Sequence, residues 1–122
     1  MMDRTVLIGV DWGSSRFRAW AFDNEGDVVG GTAVPDGLLT HEGDPLARLR
    51  FHINEWLGEW PDRPIIACGA VGSAEGIYRT DYLPVPMPMN SLAKHLVHIH
   101  GIHIVPGLKQ MSPPDVMRGE ET

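Results

Sequence analysis

Val6-Leu7-Ile8-Gly9-Val10-Asp11-Trp12-Gly13-Ser14-Ser15-Arg16-Phe17-Arg18-Ala19-Trp20-Ala21-Phe22 holds two strands and the turn between them, and this stretch decides the fold. Val6 to Val10 is a short continuous apolar run, the pattern of a strand covered on both faces. It ends in Asp11-Trp12-Gly13-Ser14-Ser15, residues that favour a turn. From Arg16 the chain alternates, with Phe17, Ala19 and Ala21 against Arg18, Trp20 and Phe22, until Asp23-Asn24-Glu25-Gly26 turns it again. Asp27 to Ala33 returns as a third strand, so three strands joined by tight connections predict an antiparallel meander.

Downstream the period changes. Asp44 to Trp60 carries Leu46, Leu49, Ile53, Trp56, Leu57 and Trp60 at spacings of three and four, with Asp44 as cap and Pro45 in the first turn, which predicts a helix. Pro64 to Cys68 reads as a buried strand and is followed by the glycine-spaced Gly69-Ala70-Val71-Gly72-Ser73-Ala74-Glu75-Gly76. Leu83 to Met89 is too rich in proline for regular structure. Asn90 or Ser91 can cap a second helix running to about His98, and Ile102 to Val105 is a further strand. The strands at Pro64 and Ile102 are expected to join the sheet in parallel, because a helix of sufficient length precedes each. The chain closes on Arg118-Gly119-Glu120-Glu121-Thr122, where a helix begun near Pro114-Asp115 should gain its second turn, so the sequence reads as cut within that helix.

The composition narrows the class. At 122 residues the chain is one domain, residues 1–122, and a net charge of −6 argues against a sequence-independent grip on nucleic acid or an anionic membrane. A single cysteine, Cys68, precludes an internal disulfide, and the apolar N-terminal run is too short for a signal or a membrane span. A reducing, cytoplasmic setting is therefore expected. The order of three antiparallel strands, then helix, strand, helix, strand is α/β and resembles a ribonuclease H-like half-domain, the building block of actin-like ATPases and sugar kinases.

The first candidate site is the turn at Asp11. A carboxylate at a strand end can hold hydrated Mg²⁺, and Gly13, Ser14 and Ser15 let backbone amides and hydroxyls reach a phosphate. The competing reading is an Asx-type turn in which Asp11 and Ser14 satisfy their own backbone. Gly69 to Ser73 is no P-loop, since no Gly-Lys-Ser/Thr follows. A tight connection at the sheet edge would explain its glycines equally well. His95, His98, His100 and His103 lie close in sequence but read as solvent-facing. Trp12, Trp20, Trp56 and Trp60 read as mostly core, with Trp12 alone placed to touch a ligand.

Five blocks, Asp11 to Trp20, Cys68 to Ser73, Tyr82 to Pro86, Ile104 to Leu108 and Val116 to Thr122, occur in the order of the 2-dehydro-3-deoxygalactonokinase family, and the chain resembles the N-terminal portion of that family. The resemblance implies ATP and Mg²⁺ as cofactors, and 2-dehydro-3-deoxy-D-galactonate as the substrate phosphorylated on its terminal hydroxyl. It also implies a C-terminal lobe that closes the site. By position Asp11 would face the metal, and Gly13, Ser14 and Ser15 the phosphates. Gly69, Gly72 and Ser73 would line the sugar-acid pocket. Among Arg16, Arg18, Arg79 and Arg118, Arg18 and Arg118, which lie inside matching blocks, rank first to grip the substrate carboxylate in a bidentate fork. Asp115, at the expected helix start, or Glu120 would accept the hydroxyl proton, although an aspartate at a helix start is often a cap alone. A lobe without its partner would expose an apolar face, so self-association is expected. The reading of another class is a stand-alone nucleotide- or partner-binding module without turnover.

Overall fold

A computed structural model describes residues 4–39, 43–58, 63–70, 81, 83–84, 94–99, 101–111 and 114–117. Strands β1 (Leu7–Trp12), β2 (Phe17–Phe22) and β3 (Val28–Val34) form the expected antiparallel meander, with Asp11 opposite Arg18 and Trp12 opposite Phe17. The next strand, β4 (Ile65–Gly69), lies parallel on the other side of β1, with Cys68 beside Asp11.

Helices α1 (Pro45–His52) and α2 (Asn54–Leu57) replace the single helix expected over 44–60. Asp44 caps α1 as predicted, its carboxylate accepting from the Ala47 amide at 3.1 Å. The helix breaks at Ile53 (φ −109°, ψ 11°), a β-branched residue followed by Asn54, both weak helix formers. The break keeps Leu49, Ile53 and Leu57 on one buried face. They cover Ile8, Val10, Trp12, Phe17, Ala19, Ile65, Ala67, Ile102 and Ile104, which form the core with them. Glycine matters at one contact here. Gly30 on β3 faces the Trp56 indole, where a Cβ would lie 3.0 Å from Nε1.

The opposite side of the sheet differs from the sequence expectation for β1. Its residues alternate between fully and partly buried instead of being covered on both faces. Leu7, Gly9, Trp20, Phe22, Ile66, Cys68 and Val105 line a shallow apolar groove of about 290 Å³ there, which reaches Asp11 at one end.

The short strands β5 (Leu83–Pro84), β6 (Val97–Ile99), β7 (Ile102–Ile104), β8 (Leu108–Met111) and β9 (Pro114–Met117) complete the described elements. The main sheet has the order β3-β2-β1-β4-β7-β6, with β7 parallel to β4 as expected, and β5-β8-β9 form a second sheet. Two helix expectations are corrected. Val97–Ile99 is a strand paired antiparallel with Ile102–Ile104 about Gly101 (φ 80°), so a helix does not run to His98. The alternation of Val97-His98-Ile99 and Ile102-His103-Ile104 around a glycine suits a hairpin, which outweighs helix propensity. Pro114–Met117 is also a strand, antiparallel to β8, so Asp115 sits opposite Gln110 and not at a helix N-terminus. A proline is well placed as the first residue of a strand, where its missing N–H is tolerated. Residues 118–122, where the sequence reads as cut within that helix, lie outside the described residues.

Candidate functional site

Asp11, Gly13, Ser14, Ser15, Arg16 and Arg18 line one open pocket of about 400 Å³ at the end of the β1–β2 hairpin. The hairpin register explains the cluster. Asp11 and Arg18 are directly paired across the two strands, and their side chains emerge on the same face. The guanidinium and carboxylate form an ion pair, with the Asp11 side chain 14% and the Arg18 side chain 46% exposed. On the other flank the Cys68 thiol approaches Asp11 Oδ1 at 4.0 Å.

The turn itself has an uneven hydrogen-bond pattern. The Gly13 amide donates to the Arg16 carbonyl at 3.0 Å, while the carbonyls of Gly13 and Ser14 accept from the amides of Leu38 and Leu39 at 3.0 and 3.2 Å. Among the described residues the amides of Ser14, Ser15 and Arg16 have no acceptor, and both serines are exposed. Successive amides without an acceptor make a concavity suited to an anion. The Asx-turn alternative does not describe Asp11, whose carboxylate meets Arg18 and Cys68 among the described residues and no amide of its own turn.

The remaining candidates are dispersed. Gly69 ends β4 with φ 98°, and a Cβ there would stand 2.6 Å from the Trp12 carbonyl oxygen, so backbone geometry alone requires glycine. Gly72, Ser73, Arg79, Arg118, Glu120, His100 and Trp60 lie outside the described residues. Asp115 belongs to β9 in the second sheet. Trp12 faces the core, fully buried, with its indole N–H donating to the Asp36 carbonyl at 2.8 Å, so its expected ligand contact is corrected. His98 and His103 stack across β6 and β7 with ring centroids 4.3 Å apart.

A further layer escaped the sequence reading. The Asp36 carboxylate accepts from Arg48 Nη2 and contacts His52 Nε2, both at 2.5 Å, directly behind the turn. One sequence signal was available. Arg48 and His52 form an i, i+4 polar pair in a helix that follows the turn-forming Pro35-Asp36-Gly37.

An α/β sheet with an open pocket and a turn of unengaged amides at the carboxyl end of β1 has its candidate site where open α/β sheets bind ligands. The family model described as 2-keto-3-deoxy-galactonokinase matches residues 11–122. A relative from Rhizobium meliloti, "Probable 2-dehydro-3-deoxygalactonokinase DgoK1", is 34% identical over 93% of this chain and 39% of its own length. A crystal structure of a Sinorhizobium meliloti protein bearing the same kinase name superposes with a TM-score of 0.77 at 32% identity, covering 94% of this chain and 40% of that one. The chain belongs to the 2-keto-3-deoxy-galactonokinase family and spans about two fifths of the length of the relatives it matches.

Proposed function

We propose that the chain forms the phosphate-binding part of a kinase that transfers the γ-phosphoryl group of ATP to the terminal hydroxyl of 2-dehydro-3-deoxy-D-galactonate. The observation that carries this reading is the convergence of Asp11, Ser14, Ser15 and Arg18 on one open pocket in a chain of this family. The meander followed by parallel strands supports a ribonuclease H-like lobe of the actin-like kind. A second lobe contributed by further chain fits the coverage of its relatives. No helix among the described residues is long and apolar enough to cross a membrane.

The residues at the turn fit the cofactor. Asp11 is a carboxylate whose own backbone does not engage it, so it would hold Mg²⁺, while the amides and hydroxyls of Ser14 and Ser15 would take phosphate oxygens. Bound Mg-ATP supplies the phosphoryl group and neutralises charge on its oxygens. Arg18 lines the same pocket and already opposes a carboxylate there, so its guanidinium serves the anion in this pocket. In the reaction the substrate hydroxyl oxygen bonds to the γ-phosphorus, the bond to the β–γ bridging oxygen breaks, and the hydroxyl proton passes to a carboxylate of this chain. Asp115 and Glu120 are the two candidates for that base. With Asp115 on a strand, the helix-start argument for it falls away, and mutation must separate the two. Asp115→Asn or Glu120→Gln, whichever removes the base, should lower turnover by about 10²–10⁴-fold, with the other variant much milder.

The test is to express the whole reading frame that contains this sequence and follow the keto-acid by phosphorus NMR with Mg-ATP. A phosphomonoester on the substrate is expected. Tight Mg-ATP binding without any phosphorylated product would favour the non-catalytic module instead. The 122-residue chain alone should bind Mg-ATP weakly and give no product, because one lobe offers only part of the contacts that position two substrates.

A further inference from the structure

The segment Asp36–Leu39 is fastened at both ends of its width. On one side the Leu38 and Leu39 amides hold the carbonyls of Gly13 and Ser14, and the Asp36 carbonyl takes the Trp12 indole N–H. On the other side Arg48 of α1 spreads its guanidinium over the segment, donating to the Asp36 carboxylate at 2.5 Å, the Gly37 carbonyl at 2.8 Å and the Leu38 carbonyl at 3.3 Å. His52, one turn further along α1, reaches the second carboxylate oxygen of Asp36. The side chains of Asp36, Arg48 and His52 are 18%, 13% and 14% exposed. Contact at Gly37 is so close that a Cβ there would fall on the Ser14 carbonyl oxygen and the Ser15 Cα.

Peptide geometry turns this fastening into an effect on the pocket. Across a trans peptide plane the carbonyl of one residue and the amide of the next point in opposite directions. Holding the Gly13 and Ser14 carbonyls against Leu38 and Leu39 therefore aims the Ser14 and Ser15 amides away from the segment, which contributes no lining residue to the pocket. Left alone, a glycine–serine turn would sample both orientations of these planes.

We propose that Arg48, with Asp36 and His52, is a positioning cluster that fixes the amide orientation of the 13–15 turn and thereby sets its affinity for the phosphates of the nucleotide. The inference rests on the kinase reading above for its ligand, but its structural half does not. Arg48 suits the task because a planar fork can hold a carboxylate and two carbonyls at once, which an ammonium cannot do with the same geometry.

The experiment compares Arg48→Met, Arg48→Lys, Asp36→Asn and Gly37→Ala in the protein expressed from the whole reading frame, with two readouts. Steady-state kinetics should show KM for ATP raised about 10–100-fold in Arg48→Met and Gly37→Ala, with KM for the keto-acid little changed and Arg48→Lys recovering part of the loss. Amide hydrogen exchange should accelerate about tenfold at Leu38 and Leu39 in Arg48→Met while the β1 amides keep their rates. Should Arg48→Met fail to fold, Arg48→Lys and Asp36→Asn carry the same comparison at smaller amplitude. Folded variants with an unchanged KM for ATP, or an equal rise for both substrates, would overturn the proposal. A wild-type protein without kinase activity would overturn the kinase reading. In that case exchange at Leu38 and Leu39 decides the cluster by itself: acceleration upholds it, and wild-type rates end it.

Discussion

Two aspartate-led turns stand at opposite ends of β2, and they use the same side chain in opposite ways. At Asp23 the carboxylate accepts from the amides of Glu25 and Asp27 at 2.9 and 3.0 Å, and Gly26 completes the turn with φ 84°. At Asp11 the carboxylate leaves its own turn and faces Arg18 and Cys68, while the turn is held from behind by Leu38 and Leu39. An aspartate that closes its own turn commits carboxylate lone pairs to backbone amides, as Asp23 does through Oδ1. One whose turn is supported by another segment keeps them. The division of labour is therefore visible in hydrogen bonds before any ligand is considered.

The sharpest way to break this contrast is to remove each charge in turn. Asp11→Asn should lower phosphoryl transfer by at least about 10²-fold, in the range found when a preorganised electrostatic group is lost. Its effect on stability should stay under about 1 kcal/mol, since the partner Arg18 is half exposed and screened. Kinetics and denaturant unfolding on the same preparation check both halves, and a large stability loss with normal turnover would make Asp11 a second Asp23. Asp23→Ala should do the reverse, costing about 1–2 kcal/mol through two orphaned amides while leaving kcat unchanged. Smallest is Gly26→Ala, expected to cost about 1 kcal/mol from the left-handed backbone alone. Thermal unfolding would show it, and an unchanged midpoint would mean that the turn relaxes freely.

How much of this was legible beforehand follows from sequence distance. The pocket residues were readable because a hairpin brings Asp11 against Arg18 within eight positions, and the period-2 pattern of β2 fixes which side chains share a face. The parallel placement of Ile65–Gly69 and Ile102–Ile104 also followed from short apolar runs after helix-length intervals. Asp36, Arg48 and His52 were passed over because their meeting depends on how α1 docks, which no local pattern encodes. The segment 97–99 was misread as helix because three residues are too few to establish a period, and only its partner at 102–104 reveals the alternation. Asp115 shows the same limit. A proline followed by an aspartate suits a helix start, yet pairing with Leu108–Met111 determined a strand.

The edges of the main sheet bear on how copies of this chain meet in a crowded solution. On one side β3 carries a register shift where Ala21 and Phe22 face it, so Val28 and Val29 do not continue a regular ladder. On the other side β6 is only three residues long. Bulged or short borders are poor templates for strand addition, the route by which sheets recruit one another into fibrils. A concentrated preparation of this chain that clumps should therefore do so through its apolar faces, as reversible amorphous association, and should not seed ordered cross-β growth.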